Sequence, residues 1–339
     1  MTTIIRFSVL LMILSTVHSL QIVPGGARAA VSRRSLLLAP PAIGAGVLAT
    51  SSRPAHANKL IRGDSVKLSS GESFPLASFG LQVYDDETAR RLTLTALEAG
   101  YRNFFASVLA GNQRGFARAI MESGIPREEL FICGSVVSNR AQGFDEAYAA
   151  TKLGWERNIG AFSAGQIGYL DQIMLDYPGR DSDSIKGQWR AFEDMKSKGL
   201  VRTLSVSNFS PSQLDVILND PEATAKPVVN QLPFCVAYHP ASVEENKKRG
   251  VLVQAWAPLG YSLGRSSGQG RLEEMKKTGS DIGQRYGKSW AQVCLRWVIQ
   301  KGAAFTTQTR SRAHFEEDID VFDFELSATD MAALDRIGA

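Results

Sequence analysis

The residues best placed to do chemistry in this chain fall at the ends of short apolar segments. These positions hold Phe105, Ser135, Asp176, Ser207, Gln231 and Trp256. Asp176 is the ionisable residue among them, and a carboxyl group in a dry pocket has a raised pKa that suits it to proton transfer. A solvated or ion-paired Asp176 would have no chemical role, and the sequence leaves both interpretations open.

The segments that carry these residues predict eight β-strands, separated by stretches with helical periodicity. The strands are predicted at 76–80, 103–107, 130–136, 171–177, 203–209, 228–234, 252–258 and 304–309. Among the helices, 86–100 ends at Gly100 and 210–220 begins with Ser210 as N-cap. Eight strand–helix alternations predict a single α/β domain, a (β/α)8 TIM barrel, whose chemistry lies at the C-terminal strand ends. A hairpin-like segment at 66–75 precedes the first barrel strand.

Composition is that of an ordinary globular protein: 339 residues, 44% hydrophobic and 21% charged, with net charge +4. Residues 1–57 hold five Arg and no Lys, Asp or Glu, so residues 58–339 carry 4 − 5 = −1. A near-neutral folded part gives no reason to expect a nucleic-acid partner. Three cysteines, Cys133, Cys235 and Cys294, are too few for a disulfide scaffold or a metal site, although Cys133 and Cys235 near strand ends could pair.

The first 57 residues are typical of a targeting leader. Residues 1–19 have the pattern of a signal peptide, and 20–35 are rich in Arg and Ser and free of acid, as transit peptides are. A twin Arg (Arg33, Arg34), a second apolar stretch and an Ala-x-Ala site at 55–57 follow. This order predicts import into a plastid and then the thylakoid lumen, with a mature chain over 58–339 and no mature transmembrane segment. The alternative is a single signal anchor or a misplaced start codon.

Seven motifs, in order, resemble the aldo-keto reductase family. They are YRNFFASVLAGNQRG (101–115), SGIPREELFI (123–132), GLVRTLSVSNFSPSQL (199–214), VVNQ (228–231), AWAPLG (255–260), RYGKSWAQVCLRWVIQKG (285–302) and VFDFELSATDMAAL (321–334). The resemblance implies a (β/α)8 barrel, with the 66–75 hairpin as a lid over its bottom, and NAD(P)H-dependent carbonyl reduction.

The four catalytic residues of that family are missing. Its Asp, Tyr, Lys and His correspond to Phe105, Ala110, Ser135 and Asp176 here. Ala110 has no proton to donate, and Phe105 and Ser135 cannot form the ion pair that lowers the pKa of a phenol. Asp176 is therefore the one candidate catalytic residue at these positions. Replacement acids could come from Tyr84, Tyr177, Tyr238 and His239.

The resemblance also assigns residues to the cofactor. Ser207, Asn208 and Gln231 match the trio that binds the nicotinamide carboxamide, Trp256 matches the aromatic residue on which the ring stacks, and Leu259, Thr309 and Glu317 complete the set. The phosphate segment is altered, because Gln308, His314 and Asp318 replace the usual Lys, Arg and Asn. Binding of NADP or NAD is therefore expected to be weak or absent. Arg310 and Arg312 lie close enough in sequence to compensate.

Three functions remain compatible with this sequence. The first, which the missing tetrad favours, is an inactive barrel that binds or assembles with a protein partner in the lumen. The second is an oxidoreductase with a rebuilt site. The third is a sensor that binds a dinucleotide without turning it over.

Overall fold

The computed structural model describes residues 65–260 and 269–338. The predicted leader, residues 1–57, lies outside the described residues. Strands β1 (Ser65–Lys67) and β2 (Ser73–Pro75) form an antiparallel hairpin in which Val66 pairs with Phe74. The hairpin predicted at 66–75 is confirmed.

Eight parallel strands then close into a barrel, in the order β10-β3-β4-β5-β6-β7-β8-β9. Their bounds are β3 Ala77–Gly80, β4 Asn103–Ala106, β5 Phe131–Val136, β6 Leu170–Asp176, β7 Val201–Ser207, β8 Val229–Pro233, β9 Leu252–Trp256 and β10 Ala304–Thr307. All eight predicted strands are present, and the barrel is the (β/α)8 TIM barrel expected from their number.

Ten helices surround the barrel in the described part of the chain. They are α1 Asp86–Ala99, α2 Gln113–Ser123, α3 Gly143–Phe162, α4 Ser182–Ser197, α5 Pro211–Leu218, α6 Ser242–Lys247, α7 Gln269–Tyr286, α8 Trp290–Gln300, α9 Arg312–Ile319 and α10 Ala328–Gly338. Within the two described ranges, no helix is both long and apolar enough to cross a membrane.

Local sequence signals fix several helix ends. The predicted N-cap Ser210 forms a reciprocal capping box with Gln213 at the start of α5. Helix α1 ends at Gly100, whose φ of 111° is a left-handed conformation that glycine adopts without a steric penalty. The predicted start and stop of these helices are thus confirmed.

Side chains of the barrel strands alternate between two cores. Phe104, Ile132 and Ile173 point outward into the main helix-facing cluster. Phe105, Cys133 and Met174 point the other way and form a small separate cluster inside the barrel. At the amino-terminal end, Phe74 of the hairpin packs edge-on against Phe131, with ring centroids 4.9 Å apart. The hairpin therefore covers the bottom of the barrel and leaves the opposite rim for chemistry.

Candidate functional site

Polar residues on four neighbouring strands lie at one level near the carboxyl-terminal rim. Asp176 on β6 is in register with Ser207 on β7, Ser207 with Gln231 on β8, and Gln231 with Gln254 on β9. Because parallel strands pair in register, residues far apart in sequence share one ring. This is the rim that the strand-end pattern predicted.

Asp176 is the buried acidic group of this ring, with 7% of its surface exposed. Its carboxylate accepts hydrogen bonds from the Ser207 hydroxyl and from Asn208 Nδ2, the latter at 3.3 Å. Burial raises the pKa of Asp176 to about 6, against the smaller opposing effect of those two donors. Among the residues that the structure describes, Asp176 is thus buried and forms no ion pair.

Asn208 connects Asp176 to the aromatic residue of the site. Its Nδ2 also donates to Ser207 Oγ at 2.9 Å, and its Oδ1 accepts from Trp256 Nε1 at 3.3 Å. Trp256, the last residue of β9, is half-buried. The structure therefore joins Asp176, Ser207, Asn208 and Trp256 in one hydrogen-bonded network.

Three residues of this rim hold a left-handed backbone conformation although they are not glycine. Tyr177, Asn208 and Ala257 have φ values of 70°, 63° and 52°, and each directly follows the last residue of a barrel strand. Such a conformation costs about 1–3 kcal/mol and concentrates at binding and catalytic sites. The rim is thus strained where β6, β7 and β9 end.

Gln231 has a partner that the sequence did not predict. Its Nε2 donates to Oε1 of Gln254 at 2.9 Å inside the barrel. Gln254 lies two residues before Trp256 on β9, so strand periodicity places both on the interior face. The two-residue periodicity of the strand could therefore have predicted that Gln254 faces the barrel interior.

The other three positions that the resemblance assigns to the catalytic tetrad make contacts that support the fold. Phe105 is buried against Cys133 and Met174 and fills the barrel interior. Ser135 is buried, and its Oγ accepts from the backbone N–H of Val108 at 3.2 Å. This bond fixes the start of the loop that carries the half-buried Ala110. Neither Phe105, Ser135 nor Ala110 supplies an acid or a cation to the site.

The four other side chains named as replacement acids are poorly suited to that role. The Tyr84 hydroxyl donates to the carbonyl of Thr309 at 3.0 Å, and burial raises its pKa to about 12. The pKa of Tyr177 is raised by burial and by the neighbouring Asp176. Tyr238 is exposed, and the His239 ring packs on Trp297 with centroids 5.2 Å apart.

The predicted phosphate segment forms a second group, around β10 and α9. Thr309 is buried, and its Oγ1 accepts from the N–H of Ser311 at 3.0 Å and bonds His314 Nδ1 at 3.2 Å. Gln308 is exposed and donates to Gln82 Oε1 at 2.6 Å. The Thr309 hydroxyl and the His314 imidazole, both on the predicted phosphate segment, are thus bonded to each other.

The two arginines near this segment differ in their contacts. Arg312 forms ion pairs with Glu98 at 2.7 Å and Glu316 at 3.0 Å. Arg310 instead lies over the Tyr84 ring, 5.2 Å from its centroid, and is exposed. Of these two arginines, Arg310 is the one that forms no direct ion pair with a described residue.

Other predicted site residues lie apart from the network. Leu259 is half-buried and packs against the cluster around β8, β9 and α8. Glu317, on α9, is half-buried and lies one residue before the buried Asp318. Burial raises the pKa of Asp318 from 3.8 to about 7. Thr309 and Glu317 make no hydrogen bond to Asp176, Asn208 or Trp256 in the described ranges.

The cysteines are free and buried, and the considered pairing of Cys133 with Cys235 is absent. Cys133 lies inside the barrel with Phe105, whereas Cys235 belongs to the outer cluster that contains Cys294. In residues 65–260 and 269–338, no group of three His, Cys, Asp or Glu side chains has a geometry that could hold a metal ion.

A nicotinamide dinucleotide fits these side chains only in part. Ser207, Asn208 and Gln231 lie together, since the Asn208 N–H donates to the Gln231 carbonyl at 3.0 Å. The polar atoms of Asn208 and the Nε2 of Gln231 are nevertheless used by protein partners. The phosphate end lacks the two expected cations at Gln308 and His314.

Comparison with known proteins identifies the relatives of this chain. Residues 75–339 match the family model described as the aldo/keto reductase family. The chain is 35% identical over 282 residues to "Glyoxal reductase" of Bacillus subtilis (strain 168), covering 81% of this chain and 92% of that protein. It is 31% identical over 271 residues to "Uncharacterized oxidoreductase YtbE" of the same organism, covering 76% and 88%.

Solved structures agree with this assignment. An aldo/keto reductase from Brucella melitensis superposes with a TM-score of 0.70 at 28% identity, covering 80% of this chain and 98% of that one. MGS-M4, an aldo-keto reductase enzyme from a Medee basin deep-sea metagenome library, also has a TM-score of 0.70, at 25% identity, covering 81% and 96%.

Proposed function

This chain belongs to the aldo/keto reductase family, and from that premise we propose that its barrel binds a ligand or a protein partner without reducing carbonyl compounds. One observation carries the proposal. Of the four positions at which the family holds its catalytic residues, only Asp176 is ionisable, and it is an acceptor inside a closed hydrogen-bond network.

The chemical argument concerns the proton. Hydride addition to a carbonyl carbon produces an alkoxide, which must be protonated by a positioned acid or stabilised by donors. Phe105 and Ala110 have neither function, and the hydroxyl of Ser135, which accepts from the N–H of Val108, is too weak an acid to supply the proton. An ionised Asp176 would repel the alkoxide. The site therefore lacks rate factors of about 10² to 10⁴ from acid catalysis alone.

A binding role is supported by the strain at the rim. Tyr177, Asn208 and Ala257 have left-handed backbone angles, although the three other proposed tetrad positions carry no ionisable side chain. Strain of this kind is maintained at ligand clamps and switch regions as well as at catalytic centres. A dinucleotide held weakly without turnover, which is the sensor alternative, is one form of such binding.

An activity assay tests the proposal directly. Aldehydes, ketones and quinones are offered with NADPH and with NADH, and nicotinamide absorbance is followed. We expect no turnover above background, and turnover of about 1 s⁻¹ would contradict the proposal. A variant with Phe105→Asp, Ala110→Tyr, Ser135→Lys and Asp176→His serves as the positive arm, with its thermal unfolding measured in parallel. A titration with both reduced and both oxidised dinucleotides separates the sensor from a barrel that binds no dinucleotide.

A second candidate, an oxidoreductase with a rebuilt site, has one observation in its favour. Burial raises the pKa of Asp176 to about 6, so below that pH the carboxyl is protonated and becomes a donor. This candidate predicts activity that rises as pH falls through about 6 and disappears in Asp176→Asn. Activity that is independent of pH would exclude Asp176 as the acid.

The location of the protein is a separate part of the proposal. The Arg33–Arg34 pair and the Ala-x-Ala site at 55–57 support delivery to the thylakoid lumen, where the partner would be a lumenal protein. N-terminal sequencing of the native protein should find Asn58 first. A mature N-terminus upstream of Arg33 would rule this route out. Replacing both arginines with Lys should block the last translocation step.

A further inference from the structure

Asp176 differs from most other buried acids of this protein in its partners. Among the described residues it accepts only from the Ser207 hydroxyl and from Asn208 Nδ2, and both donors are neutral. Asp318 also has no positive partner among these residues, but it lies on α9, outside the barrel. Three other buried acids each form an ion pair with an arginine, namely Asp171, Glu193 and Asp330. A buried carboxylate without a positive partner is a place where a cation gains a charge-assisted bond.

Asp176 lies at the mouth of the barrel and points into it. It is the last residue of β6, and Met174, two residues earlier, belongs to the cluster inside the barrel. Strand alternation places both side chains on the same interior face. Asp176 keeps 7% of its surface exposed, and Tyr177 and Asn208 beside it are half-buried. A ligand that enters from the rim therefore meets this carboxylate at the end of β6.

Aromatic residues lie close to the carboxylate. Asn208 Nδ2 is 3.3 Å from Asp176 Oδ1, and Asn208 Oδ1 is 3.3 Å from Trp256 Nε1. One side-chain amide thus separates the carboxylate from the indole ring. Trp256 is half-buried, so part of its side chain is open to a ligand, and Tyr177 is near enough for the charge of Asp176 to raise its pKa. An aromatic face within about 6 Å attracts a cation.

These features select among classes of ligand. An ionised Asp176 repels an anion, and it offers no donor to a neutral carbonyl oxygen. A metal ion needs several protein ligands, and the part of the chain that the structure describes has no group of three His, Cys, Asp or Glu side chains that could hold one. An organic ammonium ion can donate to the carboxylate and also lie against the aromatic surface of Trp256.

We propose that the rim of this barrel binds a small primary amine in its ammonium form, whose N–H groups donate to the Asp176 carboxylate and whose charge lies against Trp256. The inference rests on the proposed function, since it names the class of ligand for the same site. The left-handed backbone of Tyr177 and Asn208 holds the residues around the carboxylate in place, as strained residues do at ligand clamps.

Ionisation of Asp176 makes this site dependent on pH. Burial raises the pKa of Asp176 to about 6. The titratable groups that face it are Tyr177 and Cys133, and both stay neutral near that pH because burial raises the pKa of each. An alkyl ammonium stays charged from pH ~5 to pH ~8. The affinity should therefore rise about tenfold over that range, in proportion to the ionised fraction of Asp176.

Calorimetry with the purified protein, in the absence of any dinucleotide, tests this site. The probes are benzylamine, the neutral benzyl alcohol and the anionic benzoate. We expect benzylamine to bind at pH ~8 and the other two to bind about tenfold more weakly or worse, because only the ammonium pairs with the carboxylate. Absence of benzylamine binding at millimolar concentration, or equal binding of benzyl alcohol, overturns the inference. Carbonyl turnover in the separate activity assay would contradict the proposed function and leave this titration unaffected.

Matched variants locate the site. Asp176→Asn preserves shape and should weaken benzylamine binding by about tenfold or more and remove its pH dependence, because a charge-assisted bond becomes a neutral one. Trp256→Leu should weaken it by about threefold or more. Asp183→Asn removes an exposed carboxylate in the first turn of α4 and should change the affinity by less than about twofold. Thermal unfolding checks that all three variants fold. A folded Asp176→Asn variant that binds benzylamine as the parent does would also overturn the inference.

Discussion

The side-chain amide of Asn208 donates to the carboxylate of Asp176, with 3.3 Å between Nδ2 and Oδ1. The sequence resemblance assigns Asn208 to the family's carboxamide-binding position and Asp176 to the position of its His. If the proposed assignment is right, the bond joins the proposed cofactor subsite to the proposed catalytic position.

Asn208→Ala should raise the pKa of Asp176 above its present value of about 6. The Asn208 donor stabilises the ionised carboxylate, so its removal favours the protonated form. Carboxyl-carbon NMR titration of Asp176 measures the shift. Asn219→Ala, at the exposed C-cap of α5, is the control and should leave that pKa unchanged. A lower pKa in Asn208→Ala would contradict the assignment of the bond.

Asp318→Asn should stabilise the protein near neutral pH. Burial raises the pKa of Asp318 from 3.8 to about 7, so the folded state binds more protons than the unfolded state across that window. The free energy of unfolding therefore falls as pH rises from about 4 to about 7. Removing the charge should increase the free energy of unfolding by about 2–4 kcal/mol at pH ~8 and should change it little at pH ~4.

Urea unfolding of the parent and of Asp318→Asn at the two pH values measures this effect. Glu316 lies on the same helix as Asp318 but is exposed. Glu316→Gln should therefore change the free energy of unfolding by less than about 1 kcal/mol at both pH values. An Asp318→Asn variant that is less stable at pH ~8 would show that the carboxylate has a stabilising partner.

NADPH should bind less than about a hundredfold tighter than NADH. Gln308 and His314 stand where two cations are expected, and each lost charge-assisted contact is worth about 1.5–3 kcal/mol. Any preference that remains should disappear in Arg310→Ala, because Arg310 lies over the Tyr84 ring and forms no direct ion pair among the described residues. Arg312→Ala is the control, since Arg312 is committed to Glu98 and Glu316. Calorimetric titration of both variants with NADPH and with NADH shows which of the two arginines is responsible for any preference.

Gly187→Ala should destabilise the barrel by about 1–3 kcal/mol or more. A Cβ at this position of α4 would lie 2.1 Å from the carbonyl oxygen of Phe144, so α3 and α4 would have to separate. Gly160→Ala on α3 is the matched control, since its Cβ meets no atom within 4 Å. That variant should be more stable by about 0.5–1 kcal/mol. Thermal unfolding of both distinguishes packing from helix propensity.

The elements of this fold could be predicted from the sequence because their signals are local. Short apolar runs between helical stretches predicted the eight strands, Gly100 predicted the end of α1, and Ser210 predicted the N-cap of α5. The predicted boundaries of the strands were less accurate than their predicted number. The strand predicted at 203–209 runs from Val201 to Ser207, because Asn208 takes a φ of 63° that ends the extended conformation. The types of the neighbouring residues do not predict this left-handed conformation of Asn208.

The sequence by itself also determined which chemical groups the site lacks, since Phe105, Ala110 and Ser135 carry no acid in any fold. Only the tertiary structure decided what the remaining groups do. Asp176 bonds Asn208, and Gln231 bonds Gln254. These partners are separated along the chain and lie on different elements. Their contacts are set by closure of the barrel, which no local pattern of residues specifies.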